Sequence, residues 1–207
     1  MTFIPFAHPT EPQTRSHGPL GYVDYKSFKP WLRDEFAFRC VYCLVRERWY
    51  PNRADSFSVE HVLPQSTYPQ LVVDYANLVY ACITCNSFKR DQILLDPLTE
   101  PLGNHLRLEN EGAYIALTVR GEDLIDALHL NDPDSLACRR KYLLFAQLHE
   151  ALPDNPEVQA LFRDAFGYPD DLPDLRELRP PGGNACPQGV HDCHFARRED
   201  GRLPVIY

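Results

Sequence analysis

Two Cys-x-x-Cys pairs constrain this chain more than any other feature of its sequence. Cys40 and Cys43 form the first pair, and Cys82 and Cys85 form the second. Four thiolates at this spacing can close a tetrahedral zinc site, which is structural because no position is left for water or substrate. The alternatives are a redox pair or four cysteines that only pack in the core. We predict a structural zinc ion, with the residues between the pairs folded as a unit of their own.

The overall composition is that of a globular protein with one substantial core. The chain has 207 residues, of which 44% are hydrophobic, and no apolar run approaches the roughly 20 residues that span a bilayer. The first residues lack the basic and apolar regions of a signal peptide, so we expect a cytoplasmic location. In that reducing compartment, seven cysteines favour metal binding over a disulfide framework.

The charge of the chain is unusual for a protein that binds nucleic acid. The net charge is −8, whereas nucleic-acid binders usually carry a basic footprint. The charges are unevenly distributed, because residues 26–53 carry seven Lys/Arg and three Asp/Glu, and residues 146–178 carry two and eight. A basic face beside the cysteines, backed by an acidic region, is compatible with this distribution.

The sequence pattern divides the chain into four predicted parts. They are an extended proline-rich arm (residues 1–26), a core with the cysteines (27–96), a hairpin and helical region (97–179) and a C-terminal tail (180–207). Within the core, hydrophobic periodicity predicts strands at 57–63 and 77–81 and a helix at 85–91. The predicted fold class is therefore α+β.

Capping signals predict three further helices. One is capped by Ser27 and leads to Cys40, another begins at Asp132-Pro133, and a third is capped by Asn155. The second of these carries a leucine stripe that we expect to face the core: Leu136, Leu143, Leu144 and Leu148.

Turn signals predict two hairpins, one within residues 105–119 and one within residues 194–207. Residues 180–183, Pro-Pro-Gly-Gly, read as a linker. The tail also holds a cluster of candidate metal ligands: Cys186, His191, Cys193 and His194. Their number suits a second zinc site, but their spacing matches no known pattern, and free thiols and surface histidines are the alternative.

The residues between the two cysteine pairs have the chemistry that phosphodiester hydrolysis needs. His61 can take a proton from water near neutral pH. Glu60 and the Asn86 side chain offer oxygen ligands to a hard cation such as Mg²⁺, which needs only one or two from the protein. Alternatively, Glu60 and His61 are surface residues and Asn86 is only a helix cap. Adjacent strand residues point to opposite faces, so the strand must end or twist at Glu60 and His61 if both reach one phosphate.

The order of these residues resembles the HNH (ββα-metal) endonucleases in their zinc-knuckle form. The matching segments are Glu60-His61-x-x-Pro64, Asn77-Leu78-Val79 and Cys82-x-x-Cys85-Asn86-x-x-Lys89. The resemblance implies a small ββα-metal core with a structural zinc, followed here by a mainly helical C-terminal region. It implies that His61 is the general base, that Glu60 and Asn86 bind a catalytic Mg²⁺ or Mn²⁺, and that Asn77 fixes the loop carrying the histidine. Many relatives have histidine in place of Asn86, and some have another in place of Arg90.

Lys89 and Arg90 lie near the predicted active site and have two interpretations. They are candidate phosphate contacts, as a point charge and a planar fork respectively. They are equally well explained as solvated surface charges.

The resemblance implies a metal-dependent endonuclease that hydrolyses DNA and leaves a 5′-phosphate and a 3′-hydroxyl. A non-catalytic zinc module that binds nucleic acid or protein is the alternative, and RNA is not excluded as a substrate. The order of the zinc core, hairpin and long helix also resembles the HNH nucleases of Septu-type and retron-linked bacterial defence systems. That similarity implies an anti-phage role beside an ATPase partner, with the acidic half as a docking surface.

Overall fold

The computed structural model describes residues 5–206 and shows an α+β fold, as predicted. Met1 to Ile4 of the expected arm, and Tyr207, lie outside the described residues. The helices and strands in chain order are α1 (Lys29–Glu35), β1 (Phe57–His61), β2 (Leu78–Cys82), α2 (Ile83–Lys89), β3 (Leu106–Leu108), β4 (Tyr114–Ala116), α3 (Val119–Ala127), α4 (Pro133–Ala151), α5 (Pro156–Phe166) and α6 (His194–Glu199). Within the described part of the chain, no helix is both long enough and apolar enough to cross a membrane.

A ββα unit forms the centre of the molecule, and its order of elements is as predicted. β1 pairs antiparallel with β2, with Glu60 opposite Val79 and His61 opposite Leu78. Every residue of β2 is buried, since α2 and the segment before β1 cover the sheet. α2 begins directly after β2, and the Cys82 sulfur accepts from the Cys85 amide at its first turn. The alternative in which Asn86 caps α2 is therefore wrong.

The helix before the first cysteine pair begins later than expected. A 3₁₀ turn at Tyr25–Phe28 precedes α1, and the Asp24 side chain caps that turn by accepting from the Lys26 amide. The predicted cap at Ser27 is wrong, because Ser27 lies inside this turn and α1 itself has no side-chain cap. α1 then buries Trp31 and Leu32 and contacts both strands of the sheet.

The first hairpin and the later helices are confirmed. β3 and β4 pair antiparallel around the predicted turn, and α4 starts at the predicted proline. α5 is capped by Asn155, whose Oδ1 accepts from the Glu157 and Val158 amides at 3.0 and 3.1 Å.

The buried face of α4 is not the predicted leucine stripe. Leu144 and Leu148 are 52% and 38% exposed, whereas Arg139, Tyr142 and Ala146 are buried. Tyr142 stacks on Trp49 with ring centroids 3.7 Å apart, and Arg139 donates to backbone carbonyls beside β4. An aromatic and a paired arginine therefore decide which side of the helix faces the core.

The tail returns to the N-terminal arm instead of forming a second hairpin. The hairpin predicted at residues 194–207 is wrong, because α6 occupies its first half. The predicted linker is hydrogen-bonded to the arm through the main chain. The Leu20 amide donates to the Gly183 carbonyl, and the Gly182 amide donates to the Leu20 carbonyl. The predicted domain boundaries stay predictions.

A buried carboxylate joins the arm and the tail to α1. Asp34 accepts from His17 Nε2 at 2.8 Å, from His194 Nδ1 at 3.0 Å and from the His194 amide at 2.8 Å. Burial alone would raise the pKa of Asp34, but the hydrogen bonds from both histidines outweigh it and lower the pKa to about 2. Ionised Asp34 therefore stabilises the fold.

We expect Asp34→Asn to lower the free energy of unfolding by about 2 kcal/mol at pH 7. The pKa of Asp34 falls from 3.8 to about 2 on folding, so its contribution is complete above pH 4 and disappears as the pH falls toward 2. Urea unfolding of wild type and variant at several pH values measures this difference. Asp154→Asn, at an exposed loop position, is the control and should show no effect. An equal loss for both variants would contradict this account.

Candidate metal centre and active site

The four cysteine sulfurs form one compact group. Each residue is buried, and the ligand atoms of Cys40, Cys43, Cys82 and Cys85 all lie within 4.8 Å of one another. The Cys43 and Cys82 sulfurs are 3.7 Å apart. Zn–S bonds of about 2.3 Å arranged tetrahedrally place sulfurs about 3.8 Å apart. The cluster therefore fits a closed zinc site.

Local backbone structure delivers the cysteines to this point. A tight turn carries the first pair, with Leu44 at φ 58° and its amide bonded to the Cys40 carbonyl at 3.0 Å. The Val41 amide donates to the Tyr80 carbonyl of β2 at 2.9 Å. This bond joins the turn to the strand that supplies Cys82.

The tail cluster does not gather into a second centre. Among residues 5–206, the four cysteines above are the only group of three or more Cys, His, Asp or Glu side chains close enough to share an ion. Cys193 is buried and its sulfur accepts from the Ala196 amide at the start of α6. His194 is bonded to Asp34. The alternative of free thiols therefore fits Cys186 and Cys193, and His191 is a surface histidine, whereas His194 is not, because it is mostly enclosed against Asp34.

The His61 ring is fixed at the end of β1. His61 is 6% exposed, and its Nε2 lies 3.0 Å from the Val72 carbonyl oxygen. Because a carbonyl only accepts, Nε2 carries the proton and Nδ1 of a neutral ring keeps a lone pair. The Tyr25 ring packs edge-on against the imidazole at 4.8 Å. Burial lowers the pKa of His61, although the bond to Val72 opposes this, so the neutral form is favoured.

Asn77 anchors the segment that holds the histidine. Its Oδ1 accepts from the Leu63 amide at 2.8 Å, and its Nδ2 donates to the carbonyls of Leu63 and Leu71 at 3.1 and 3.3 Å. Leu71 directly precedes Val72, the residue that contacts His61. Asn77 therefore connects the end of β1 with the loop carbonyl that orients the ring.

Glu60 faces α2 and is paired with a lysine. Its Oε1 lies 3.1 Å from Lys89 Nζ, and both side chains are buried. Burial raises the pKa of Glu60, and the ion pair with Lys89 opposes this shift. Lys89 also donates to the His61 carbonyl at 2.7 Å. Its ammonium is thus held inside the molecule, whereas the neighbouring Arg90 is exposed beyond the last turn of α2.

Asn86 lies on the same side of the sheet as Glu60. Its Nδ2 donates to Ser58 Oγ at 2.7 Å, which orients the amide so that Oδ1 remains an oxygen donor. Ser58 and Glu60 are two apart on β1, so their side chains share one face. Glu60 and Asn86 therefore both project between β1 and α2, while His61 lies on the other face, where the strand ends.

Sequence reasoning missed Val72, Ser58 and Tyr25. Ser58 was detectable, because alternation along β1 places it on the face of Glu60. Val72 acts through its main chain and Tyr25 through tertiary packing, and neither leaves a sequence signal.

The expected basic face is partly neutralised within the molecule. Three arginines of the basic segment contact carboxylates from the acidic region at 3.0 to 3.5 Å. The pairs are Arg33 with Asp171, Arg48 with Asp164 and Asp170, and Arg53 with Asp170. The acidic segment thus binds to the basic one instead of only lying behind it.

Comparison with known proteins identifies relatives of the segment that contains the cysteine cluster and the candidate active site. Residues 40–92 match the family model described as HNH endonuclease. The Septu protein PtuB of Bacillus thuringiensis is 33% identical over 107 residues, which is 49% of this chain. The matched region spans 40% of that relative's length. The resemblance to the HNH family, and its link to Septu proteins, is thereby confirmed.

We expect Cys82→Ser to reduce the zinc content from one ion per chain toward none and to lower the thermal midpoint by about 10 °C or more. Zinc is lost because the three remaining cysteines cannot complete a tetrahedral site. The thermal midpoint falls because β2 is then no longer joined to the first cysteine pair through the ion. Elemental analysis and thermal unfolding measure both effects. Cys138→Ser, at a half-buried cysteine outside the cluster, should retain the ion. Two zinc ions per wild-type chain would contradict the single-centre assignment.

Proposed function

We propose that the HNH endonuclease domain formed by residues 40–92 makes this protein a metal-dependent nuclease that hydrolyses phosphodiester bonds of DNA. The observation that carries the proposal is the His61 ring, whose Nε2 is held by the Val72 carbonyl at 3.0 Å. That bond leaves Nδ1 as the basic nitrogen of a buried, neutral imidazole.

In this proposal, His61 is the general base. Its Nδ1 takes the proton of the attacking water, and the Val72 carbonyl stabilises the imidazolium that forms. Asn77 acts as a positioning residue, because its three hydrogen bonds hold the two segments that carry His61 and Val72. The product expected is a 5′-phosphate and a 3′-hydroxyl.

Glu60 and Asn86 would hold the catalytic divalent ion, either Mg²⁺ or Mn²⁺. The donor set fits, since a carboxylate and an amide oxygen suit a hard cation that keeps several waters. The carboxylate already has a cationic partner in Lys89 at 3.1 Å. When bound, the ion would supply Lewis-acid stabilisation of the scissile phosphate and the leaving oxygen. Arg90, exposed at the end of α2, remains a candidate phosphate contact.

The rival function is a non-catalytic zinc module. A protein that only binds nucleic acid or protein through its zinc module would not need a histidine held in one orientation next to a carboxylate. The contacts of His61 and Glu60 therefore favour a catalytic function. RNA remains the alternative substrate, because the proposed site contacts phosphate and not the sugar.

We further propose a role in bacterial defence beside an ATPase. The matching relative is a Septu protein, and α4 exposes Leu144 and Leu148 next to the acidic segment. Together with the exposed carboxylate of Glu150 on the same helix, these leucines would form a docking surface for a basic partner, which would also contribute to DNA affinity.

We expect His61→Ala to reduce plasmid cleavage at least about a hundredfold while zinc content and folding are retained. The reason is loss of the group that accepts the water's proton. Cleavage of plasmid DNA and of RNA, each with Mg²⁺ or Mn²⁺, measures activity and substrate preference. His191→Ala, at an exposed histidine, is the matched control and should cut normally. A folded, zinc-loaded His61→Ala protein with full activity would overturn the general-base assignment.

We also expect this protein to co-elute in size exclusion with an ATPase encoded beside it. Leu144→Arg and Leu148→Arg together should abolish co-elution, because they remove apolar contacts and add charges that repel a basic partner. Zinc content should not change, because both side chains are exposed. Failure of the wild-type pair to associate at micromolar concentration would contradict the docking proposal.

A further inference from the structure

We infer that Lys89 is a built-in counter-ion that keeps the divalent-metal site electrically neutral, so that the ion binds firmly only together with a nucleic-acid phosphate. The inference rests on the proposed function, in which Glu60 is a metal ligand. It gives Lys89 a role different from that of a phosphate contact.

The position of Lys89 is fixed at both ends. Its side chain is 1% exposed, its Nζ lies 3.1 Å from Glu60 Oε1, and it donates to the His61 carbonyl at 2.7 Å. It is also the last residue of α2, one turn beyond Asn86. The ammonium therefore cannot turn toward water without breaking two buried hydrogen bonds.

The charges in direct contact at the site cancel. Glu60 contributes −1, Lys89 contributes +1, and the Asn86 amide contributes none. Asp91 is the other charged group that acts on Glu60, and it is exposed, so water screens it. A dication that enters this site is attracted only weakly, because the charge of Glu60 is already balanced by Lys89, and it is repelled by the buried Lys89 ammonium.

A phosphate removes this obstacle because it supplies the missing negative charge. Its non-bridging oxygens can ligate the ion, and its charge offsets the ammonium that remains beside Glu60. Metal and nucleic acid then strengthen each other's binding by the same factor, as thermodynamic linkage requires. Lys89 thus acts as a positioning residue that makes the metal site conditional on substrate.

The test measures Mn²⁺ affinity by electron paramagnetic resonance on the zinc-loaded full chain, with and without a short DNA duplex. All proteins carry His61→Ala to prevent cleavage, which leaves the main-chain contact of Lys89 in place. We expect wild-type Lys89 to give weak Mn²⁺ binding that the duplex strengthens. Lys89→Met should bind Mn²⁺ at least about tenfold more tightly without DNA, because a like charge is gone. The effect of the duplex on Mn²⁺ affinity should shrink correspondingly.

Two further substitutions isolate the charge. Lys89→Gln keeps a donor for the His61 carbonyl without the charge, and it should behave as Lys89→Met does. Lys29→Met removes another partly buried ammonium, which donates to the Ala54 carbonyl at 2.8 Å, and it should leave Mn²⁺ affinity unchanged.

Glu60→Gln separates failure of this inference from failure of the proposed function. If Glu60→Gln leaves Mn²⁺ binding intact, Glu60 is not a ligand, and both the metal assignment and the inference fail. If Glu60→Gln abolishes binding but neither Lys89 variant tightens it, the metal site stands and the counter-ion role is overturned. Should neither Lys89 variant fold, equal Mn²⁺ affinity of the chain with and without DNA would overturn it as well.

Discussion

The gathering of four sulfurs is the constraint on which the rest of the molecule depends. Cys82 ends β2, caps α2 and belongs to the metal cluster. The ion that fits this cluster would therefore hold the strand, the helix and the turn at Cys40 in one arrangement. Asn86 and Lys89 sit on that helix, and Glu60 sits on the paired strand. The relative positions of the catalytic candidates thus depend on elements that the four cysteines join.

Buried charge is used at several points where apolar packing would have sufficed for stability. Glu60 with Lys89 and Asp34 with its two histidines are each enclosed and hydrogen-bonded. A buried ion pair, such as Glu60 with Lys89, is seldom more stabilising than a hydrophobic pair of the same size, but it tolerates only one geometry. The hydrogen bonds that hold the Asp34 carboxylate are restricted in the same way. Such pairs specify how α1, α2 and the tail meet. In the case of Glu60, the pair also determines the charge that an incoming ion encounters.

The sequence predicted the elements whose signals are local. Both strands of the ββα unit, α2, the first hairpin and the Asn155 cap could be recognised because each depends on neighbouring residues. The motif contains the candidates Glu60 and His61 and also Lys89, but it does not reveal the contact that orients His61, since Val72 acts through its backbone. The leucine stripe of α4 was misassigned because periodicity cannot tell which apolar face meets Trp49. The tail hairpin was misassigned because docking onto Asp34 favours a helix there.

The bonds from His194 to Asp34 cross 160 positions of the sequence. The stretch that matches the HNH family, residues 40–92, contains neither of these residues nor the α1 side chains that cover its sheet. That stretch is therefore covered in part by segments that lie outside it. Asp34 obtains its hydrogen bonds from His194 only after the tail has been synthesised, so the final packing of α1 against the ββα unit is coupled to completion of a distant part of the polypeptide.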